Sequence, residues 1–489
     1  MDVLWRRQTI LAIILKTLPA DSWSFNGGTF VRRKLTFLFA SQALSGFQSL
    51  SRDLSQEEWN RFRRYTARVT ALSVYAMCSR VSFTSKRPHA WVSLETIQFF
   101  AMESQREGFW PRVRSLQWDT GWEATPFISS FLTPTITDLN LSFPHGSSWF
   151  LQPTLSVIPH ACRQLQSLTI RGPTFGPLSG DEVGCLISAS GSTLRSIKIT
   201  PSTPPEIFPA IFKLPLLRSL ELGEPRLPDQ IPPEILPPLE TVGFTGHHGP
   251  NLTRFFGRLS GKKLGEVMVY SHEAIQFPAL LESLSGATTV KYLILSPVTT
   301  LCRSSIALLC TFTNLTSLSI QCVCAEPSLG LQCDSQPTDQ DLLDLGEALP
   351  HIRTLDLSPG CRMPCQVTFK SLINLSRTCD CLDYLSVKVD FAGVVENPDQ
   401  PNDRNVGLGD RNPQRGRSGL QTLDVGNSTL PNAPRCKLVV AVALVSIFPS
   451  IKYILSETIA GWDEVQENVL VCQGISYSTQ AGSERLSMD

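Results

Sequence analysis

The amino-acid sequence predicts an α/β solenoid, with a parallel β-sheet on its concave side and helices and loops on its convex side. Three observations lead to this fold class. A six-residue phrase, apolar-x-x-apolar-x-apolar, recurs along most of the chain, its spacing is nearly regular, and segments with helical periodicity lie between its copies. Stacking such repeats buries apolar positions that one repeat cannot bury alone.

The phrase has fourteen recognisable copies. They are "VTALSV" at Val69, "VRSLQW" at Val113, "ITDLNL" at Ile136, "LQSLTI" at Leu165, "LRSIKI" at Leu194, "LRSLEL" at Leu217, "LETVGF" at Leu239, "LGEVMV" at Leu264, "VKYLIL" at Val290, "LTSLSI" at Leu315, "IRTLDL" at Ile352, "LDYLSV" at Leu382, "LQTLDV" at Leu420 and the decayed "IKYILS" at Ile451. From Val113 to Ile451 the mean spacing is about 28 residues, which is typical of leucine-rich repeats. The fold class predicted is a leucine-rich-repeat solenoid.

The phrase itself predicts a strand with one buried face. Because side chains alternate along a strand, the fourth and sixth positions point into the core and the positions between them point outward. Leu168, Leu220, Leu318 and Leu355 all occupy the fourth position and are expected to be almost fully buried.

The segments between phrases predict short helices and two loops. Helical segments are expected at 273–286, 339–350 and 367–379, and the apolar run 438–448 suits a buried helix. Cys162 and Cys379 each stand three residues before a phrase, which predicts burial at the junction between helix and strand. Residues 322–340 and 396–419 are expected to bulge from the stack as loops, the second one disordered because it has few large apolar residues.

Composition and charge restrict the possible functions. Hydrophobic residues make up 42% of the 489 positions, and the 43 basic and 43 acidic residues give a formal net charge of zero. General attraction to nucleic acid or to an anionic membrane is therefore not expected, and no apolar run reaches the length of a spanning helix. The 14 cysteines show no regular spacing, which favours reduced thiols in the cytoplasm or nucleus.

No motif for catalysis or cofactor binding is found, so the chain is predicted not to be an enzyme and to need no cofactor. The best metal candidates are Cys322, Cys324, Cys333, Cys361 and Cys365, but their CxC and CxxxC spacings differ from the paired CxxC of zinc sites. His247 and His248 are expected to lie in a polar turn, with metal binding as the alternative. No metal site is predicted.

The residues before the clear repeats carry a resemblance to a known family. The matching positions are Asp2, Leu4 and Trp5, then Leu18, Pro19, Asp21 and Trp23, then Trp59, Arg61, Phe62, Tyr65, Arg68, Val69 and Leu72, and finally "FWPRVRSLQW" at 109–118. In order and spacing the chain resembles basidiomycete F-box leucine-rich-repeat proteins. The resemblance implies that most of the F-box, which docks on the Skp-family adaptor, would lie before Met1. This chain as written is therefore expected to bind that adaptor poorly.

The resemblance also suggests three regions and a function. Residues 1–68 would form a helical F-box remnant and N-terminal cap, residues 69–457 the solenoid, and residues 458–489 a C-terminal cap and tail. A signal peptide remains an alternative for the opening, although its apolar run is short and Lys16 interrupts its end. The implied function is substrate recognition for an SCF-type ubiquitin ligase. A repeat scaffold without ligase contact is the alternative.

The sequence further predicts where a protein substrate would bind on the concave face. Most outward positions are small or polar, but two consecutive phrases carry large residues there. We predict a partner site at Glu266, Met268, Tyr270, Tyr292 and Ile294, with cover by a loop or by the disordered segment of this chain as the alternative. Met268 and Ile294 both hold the fifth position, so they should be neighbours, with Tyr270 and Tyr292 flanking them diagonally.

Overall fold

A computed structural model of the chain describes most of the residues beyond residue 109. The described ranges are 110–119, 122–142, 151–172, 180–228, 236–246, 251–259, 263–275, 277–298, 301–322, 337–357, 366–396, 419–430, 435–457 and 461–474, preceded by 35–36, 60, 67, 69–75, 97–98 and 101–102. The chain divides into two compact units, Met1–Asn251 and Leu252–Asp489.

Unit 1 contains a parallel sheet with helices between its strands. The strands are β1 (Leu35–Thr36), β2 (Ala71–Tyr75), β3 (Ser115–Asp119), β4 (Asp138–Ser142), β5 (Ser167–Arg171), β6 (Ser196–Thr203), β7 (Ser219–Pro225) and β8 (Thr241–Gly246). Each strand pairs in parallel with the next. The helices are α1 (Leu151–Ala161), α2 (Gly180–Ala189) and α3 (Phe208–Phe212), with 3₁₀ helices at Trp122–Phe131 and Pro205–Ile207.

Unit 2 repeats the same arrangement. Its strands are β9 (Glu266–Ile275), β10 (Tyr292–Val298), β11 (Ser317–Cys322), β12 (Thr354–Asp356), β13 (Tyr384–Ser386), β14 (Thr422–Asp424) and β15 (Tyr453–Leu455), all parallel. Its helices are α4 (Asn251–Leu259, starting at the boundary), α5 (Phe277–Leu284), α6 (Arg303–Leu309), α7 (Asp339–Ala348), α8 (Phe369–Thr378), α9 (Ala392–Glu396), α10 (Cys436–Ile447) and α11 (Trp462–Cys472).

Each strand from β2 to β15 begins at the third position of one phrase, so the repeat predicted from the sequence is confirmed strand by strand. The four leucines at the fourth position, Leu168, Leu220, Leu318 and Leu355, are at most 1% exposed. Burying a side chain of this size contributes about 1.5–3 kcal/mol, and the repeats that begin at Val69 to Leu420 add buried apolar residues at their first, fourth and sixth positions. In the last copy only Ile451 is fully buried, because Ile454 is half-buried and Ser456 holds the sixth position. The fold is a leucine-rich-repeat solenoid.

A recurrent backbone contact precedes strands β3–β8 and β10–β15. The carbonyl of the second phrase residue accepts two N–H groups from the next repeat, at its second and third positions. For example, the Gln166 carbonyl accepts from Arg195 at 2.8 Å and Ser196 at 3.0 Å, and the Lys291 carbonyl accepts from Thr316 and Ser317 at the same two distances. We call this contact the entry ladder. It fixes the register of each repeat on the one before it, because a one-residue slip would break both bonds.

Side chains satisfy a second row of carbonyls beside the entry ladder. A threonine directly before the phrase donates its hydroxyl to the first-position carbonyl of the preceding phrase in three places. These are Thr135 to Val113 at 2.8 Å, Thr193 to Leu165 at 2.7 Å and Thr289 to Leu264 at 2.8 Å. The sequence did not suggest this role for threonine.

The predicted burial of two cysteines at helix–strand junctions is confirmed. Cys162 is 1% exposed and Cys379 is fully buried. Their carbonyls accept the N–H groups of Leu165 and Leu382, the first residues of the following phrases. Burial raises the pKa of the Cys162 thiol to about 12 and also raises the pKa of Cys379. Both residues therefore act as small, uncharged core side chains.

The predicted helices at 339–350 and 367–379 correspond to α7 and α8, but two other helix predictions need correction. The helix expected over 273–286 begins only at Phe277, because β9 continues to Ile275, which pairs with Val298 of β10 after an irregularity in register. The run 438–448 forms α10, yet this helix is not buried all round. Leu438 is 46% exposed and Val442 51% exposed, since only one side of α10 meets the core.

The two loop predictions are only partly covered by the structure. Cys322 is the last residue of β11 and Asp339 is the first residue of α7, so the loop expected at 322–340 is shorter at both ends. Residues 323–336 lie outside the described residues. Glu396 ends α9, and residues 397–418 of the second loop lie outside the described residues.

Most of the region 1–68, predicted as helical, also lies outside the described residues. Asn60 is helical, whereas Leu35 and Thr36 form β1, which pairs in parallel with Leu72 and Ser73 of β2. The sequence does not predict this strand. The edge of β2 presents backbone N–H and C=O groups to which an extended segment can hydrogen-bond.

Helix α11, within the predicted C-terminal cap, covers β15 with glutamine side chains. Gln466 accepts the N–H of Ile454 at 2.5 Å and donates to the carbonyl of Lys452 at 2.9 Å. Gln473 donates to the carbonyl of Ile451 at 2.8 Å. Two side chains thus supply hydrogen bonds that a further strand would otherwise supply.

The close approach of β6 and β7 generates a stability prediction. A Cβ atom at Gly223 would lie 1.9 Å from the carbonyl oxygen of Thr200, beside the irregular register of β6. We expect Gly223→Ala to destabilise the protein by about 1–3 kcal/mol or more, because backbone would have to move. Chemical denaturation measures this change.

Gly184 in α2 is the matched control. A Cβ atom there meets nothing within 4 Å, so Gly184→Ala should stabilise by about 0.5–1 kcal/mol through its helix propensity. Equal effects of the two substitutions would contradict the close approach.

Candidate functional site

The outward side of the unit 2 strands offers a regular surface. Because the fourth and sixth phrase positions face the core, the third and fifth face away from it. We call these two rows the unit 2 face. The third-position row is Glu266, Tyr292, Ser317, Thr354, Tyr384, Thr422 and Tyr453, and the fifth-position row is Met268, Ile294, Ser319, Asp356, Ser386, Asp424 and Leu455.

The first two strands of the unit 2 face bring the predicted site residues together. Met268 of β9 is in register with Ile294 of β10, and Tyr292 is in register with Glu266. Tyr270, at the seventh position, lies opposite Ser296. The two tyrosines therefore stand at opposite ends of the Met268–Ile294 pair, as the phrase positions predict.

Exposure distinguishes these residues from the core beneath them. Tyr270 is 42% exposed and Tyr292 48% exposed, whereas Leu293 and Val269, next to them in the chain, are fully buried. Met268, Ile294 and Glu266 are half-buried. We call Met268, Tyr270, Tyr292 and Ile294 the apolar patch. Exposed aromatic and methionine side chains on a rigid sheet are typical of protein-binding surfaces, and partner binding there stays a prediction.

Polar side chains follow the apolar patch across β11 and β12. Ser296 donates to Gln321 Oε1 at 2.6 Å, and Ser319 donates to Asp356 Oδ2 at 2.7 Å. Asp356 is in register with Ser319 on one side and Ser386 on the other. These hydrogen bonds hold the side chains of neighbouring repeats in fixed positions.

The carboxylate of Asp424, which contacts Tyr384, was not predicted from the sequence as a site residue. On β14, Asp424 Oδ2 accepts hydrogen bonds from Tyr384 Oη at 3.3 Å and Ser386 Oγ at 3.4 Å, and Asp424 Oδ1 accepts the N–H of Gly426 at 2.9 Å. Burial raises the pKa of Tyr384, and the nearby charges of Asp424 and Asp356 act in the same direction. The signal available in the sequence was Tyr at the third position of "LDYLSV" and Asp at the fifth position of "LQTLDV".

The last strand returns to exposed apolar residues. Tyr453 is 61% exposed and Leu455 47% exposed. They were not predicted as site residues because their phrase, "IKYILS", departs from the pattern at its sixth position. The unit 2 face therefore has large exposed apolar residues on its first two strands and on its last strand, with mostly polar residues between them.

The corresponding surface of unit 1 is polar. Its third-position row consists of Ala71, Ser115, Asp138, Ser167, Ser196, Ser219 and Thr241. In the fifth-position row, Lys198 of β6 forms an ion pair with Glu221 of β7, with which it is in register. At the seventh position, Asp119 is hydrogen-bonded to Ser142, and burial raises the pKa of its carboxyl.

The other candidate sites from the sequence are not assembled by the described residues. Only the backbone of Cys322 is described, while Cys324, Cys333, Cys361, Cys365, His247 and His248 lie outside the described residues. In the part of the chain that the structure describes, no group of three His, Cys, Asp or Glu side chains could hold a metal ion. None of the described helices is long and apolar enough to cross a membrane.

Comparisons with known proteins find distant structural likeness. No protein-family model and no curated protein matches the chain. The crystal structure of the Rad7 and Elc1 complex in yeast matches with a TM-score of 0.42 and 14% identity, covering 76% of this chain and 86% of that one. An internalin (inlF) from Listeria monocytogenes matches with a TM-score of 0.35 and 10% identity, covering 86% of this chain and 89% of that one.

The exposure of the apolar patch leads to a prediction about stability. Tyr270→Ala and Tyr292→Ala should each change the free energy of unfolding by no more than about 0.5 kcal/mol, as surface substitutions do. Leu293→Ala is the matched control on the same strand, and loss of its buried side chain should cost about 2–5 kcal/mol. Thermal and urea unfolding measure both. A tyrosine variant as unstable as the leucine variant would place that ring in the core.

Proposed function

We propose that the chain is a protein-binding module that recognises its partner with the unit 2 face, and that it serves as the substrate-recognition subunit of an SCF-type ubiquitin ligase. The observation that carries the binding role is the apolar patch, in which two exposed tyrosines flank an in-register Met268–Ile294 pair. Water-exposed aromatic residues on a regular sheet bind partners with little loss of side-chain freedom.

The ligase role is supported by the ordered resemblance of the N-terminal motifs to F-box leucine-rich-repeat proteins. Such a subunit presents substrate, while other subunits transfer ubiquitin, so the function requires a surface rather than catalytic side chains. The compartment proposed is the cytoplasm or nucleus. All eight cysteines whose side chains the structure describes are free thiols, which is consistent with a reducing environment.

Partner capture tests the binding role. We expect the double variant Tyr270→Ala/Tyr292→Ala to weaken binding of the partner by about 2 kcal/mol or more, because aromatic residues at the centre of an interface contribute most of its energy. Proteins recovered with wild-type chain, the double variant and Ser219→Ala would be compared by quantitative mass spectrometry. Ser219 lies at the third position of a unit 1 strand and is the control. Identical recovery with all three chains would refute the assignment of the patch.

Association with the Skp-family adaptor tests the ligase role separately. A tag added after Asp489 at the chromosomal locus retains whatever the cell translates before Met1. We expect the adaptor and a cullin to co-purify with the tagged protein. Their absence, together with normal partner capture, would favour a repeat scaffold without ligase contact.

A further inference from the structure

The unit 2 face has an unequal distribution of charge. In its described strands, the third and fifth positions carry three carboxylates, at Glu266, Asp356 and Asp424, and no basic side chain. Basic residues of the same repeats, such as Arg353 and Lys388, stand at the second and seventh phrase positions. The seventh position, which holds Lys388, faces the same side as these rows. The third and fifth positions themselves are acidic, and this charge favours a cationic group of a partner.

Unit 1 shows how the same fold pairs a carboxylate at the fifth position. There Glu221 is in register with Lys198 of the preceding strand, and the two form an ion pair. In unit 2, the register neighbours of Asp424 are Ser386 and Leu455. The contacts of Asp424 come from a tyrosine hydroxyl, a serine hydroxyl and a backbone N–H. These donors orient the carboxylate without neutralising its charge.

The strands on either side of Asp424 each carry a tyrosine. Thr422, two residues before Asp424 on β14, is in register with Tyr384 of β13 and Tyr453 of β15. Because adjacent strands are about 4.8 Å apart, the two tyrosines leave the sheet about 10 Å apart with only a threonine between them. A flat cation bound in this gap would lie beside both rings, with the Tyr384 hydroxyl on Asp424 at its edge. Tyr453 is 61% exposed, so the gap is reached from solvent.

We propose that Asp424, Tyr384 and Tyr453 form a cradle for an arginine side chain of the protein partner. This inference rests on the proposed binding function and specifies the chemistry that the unit 2 face selects. Three donors already use three of the four acceptor sites of Asp424, which leaves one site on Oδ1 for a cation. A guanidinium can donate to that site and stack its flat face on aromatic rings, whereas the lysine ammonium stacks less well. Arginine is therefore preferred to lysine.

The strand spacing also places the arginine relative to an apolar residue of the partner. From Ile294 on β10 to Asp424 on β14 there are four strand steps, or about 19 Å. An extended peptide advances about 3.3 Å per residue. A partner segment crossing the strands would thus carry an apolar residue for the apolar patch and an arginine about six positions away.

Labelled peptides test the cradle on the full-length chain. The probes are fluorescein-labelled 12-residue peptides with one Trp and one Arg, separated by three to nine positions in a Gly/Ser background. Matched peptides carry Lys, or citrulline, which has the shape of arginine without its charge. We expect tightest binding at a separation of five to seven. Replacing Arg with citrulline should weaken binding about tenfold, equivalent to about 1.4 kcal/mol.

Variants of the chain show which residues cause the preference for arginine. Asp424→Asn should abolish the difference between Arg and citrulline peptides, and Asp424→Lys should favour peptides with Glu instead. Tyr453→Ala should reduce the preference for Arg over Lys. Glu221→Gln, at the equivalent phrase position in unit 1, is the control and should change nothing. Melting temperatures of Asp424→Asn, Tyr453→Ala and Glu221→Gln should stay near that of the wild-type protein, since the altered groups project from the sheet. Asp424→Lys should melt lower, because it also loses the hydrogen bonds from Tyr384, Ser386 and Gly426.

The outcomes separate this inference from the proposed function. Peptide binding that depends on Trp and on Tyr292 but is equal for Arg and citrulline would overturn the arginine cradle and leave the binding role intact. Binding of no peptide at all would also overturn the cradle, while loss of tyrosine-dependent capture in the cellular experiment would overturn the binding role. An arginine preference that persists in Asp424→Asn would show that the cation binds elsewhere.

Discussion

The alignment of the strands in both units depends on the entry ladder, in which one carbonyl accepts two N–H groups from the next repeat. The contact recurs from Thr70 onward in unit 1 and from Gly265 onward in unit 2. It involves only backbone atoms, so it places no demand on which side chain occupies the second phrase position. Because it fixes register, the buried rows align from strand to strand, and the outward rows align with them. Because of the entry ladder, the residues that maintain the fold lie in the buried rows and the residues available for recognition lie in the outward rows.

That separation explains why surface chemistry varies along one architecture. The outward rows are polar in unit 1, with an internal ion pair at Lys198 and Glu221. In unit 2 the same positions hold apolar, acidic and aromatic residues on strands that are also parallel and begin at the same phrase position. Since the core leucines contribute most of the burial, substitutions in the outward rows cost little stability. The stability of the fold therefore places little constraint on which residues occupy the unit 2 face.

The sequence was sufficient for properties that follow from the phrase, and insufficient for those that depend on neighbouring repeats. Strand positions and the Met268–Ile294 pairing follow from phrase positions alone. The hydroxyl bonds of Thr135 and Thr193 did not, because a side chain–backbone bond between repeats becomes visible only once the repeats are stacked. Asp424 was overlooked because its significance comes from Tyr384 and Tyr453 on the strands beside it. The beginning of the helix predicted over 273–286 was wrong, because pairing of Ile275 with β10 overrides local helical periodicity.

Helix α11 has a consequence for how many strands such a molecule can contain. A parallel sheet can in principle be extended by further strands, since each edge strand presents the same unpaired backbone groups to the next strand. Another copy of the chain adding its own strand there would create a head-to-tail contact that repeats without closing, and fibres grow in this way. Gln466 occupies both the N–H of Ile454 and the carbonyl of Lys452. With Gln473 on the carbonyl of Ile451, these amide side chains occupy backbone groups that a further strand would need.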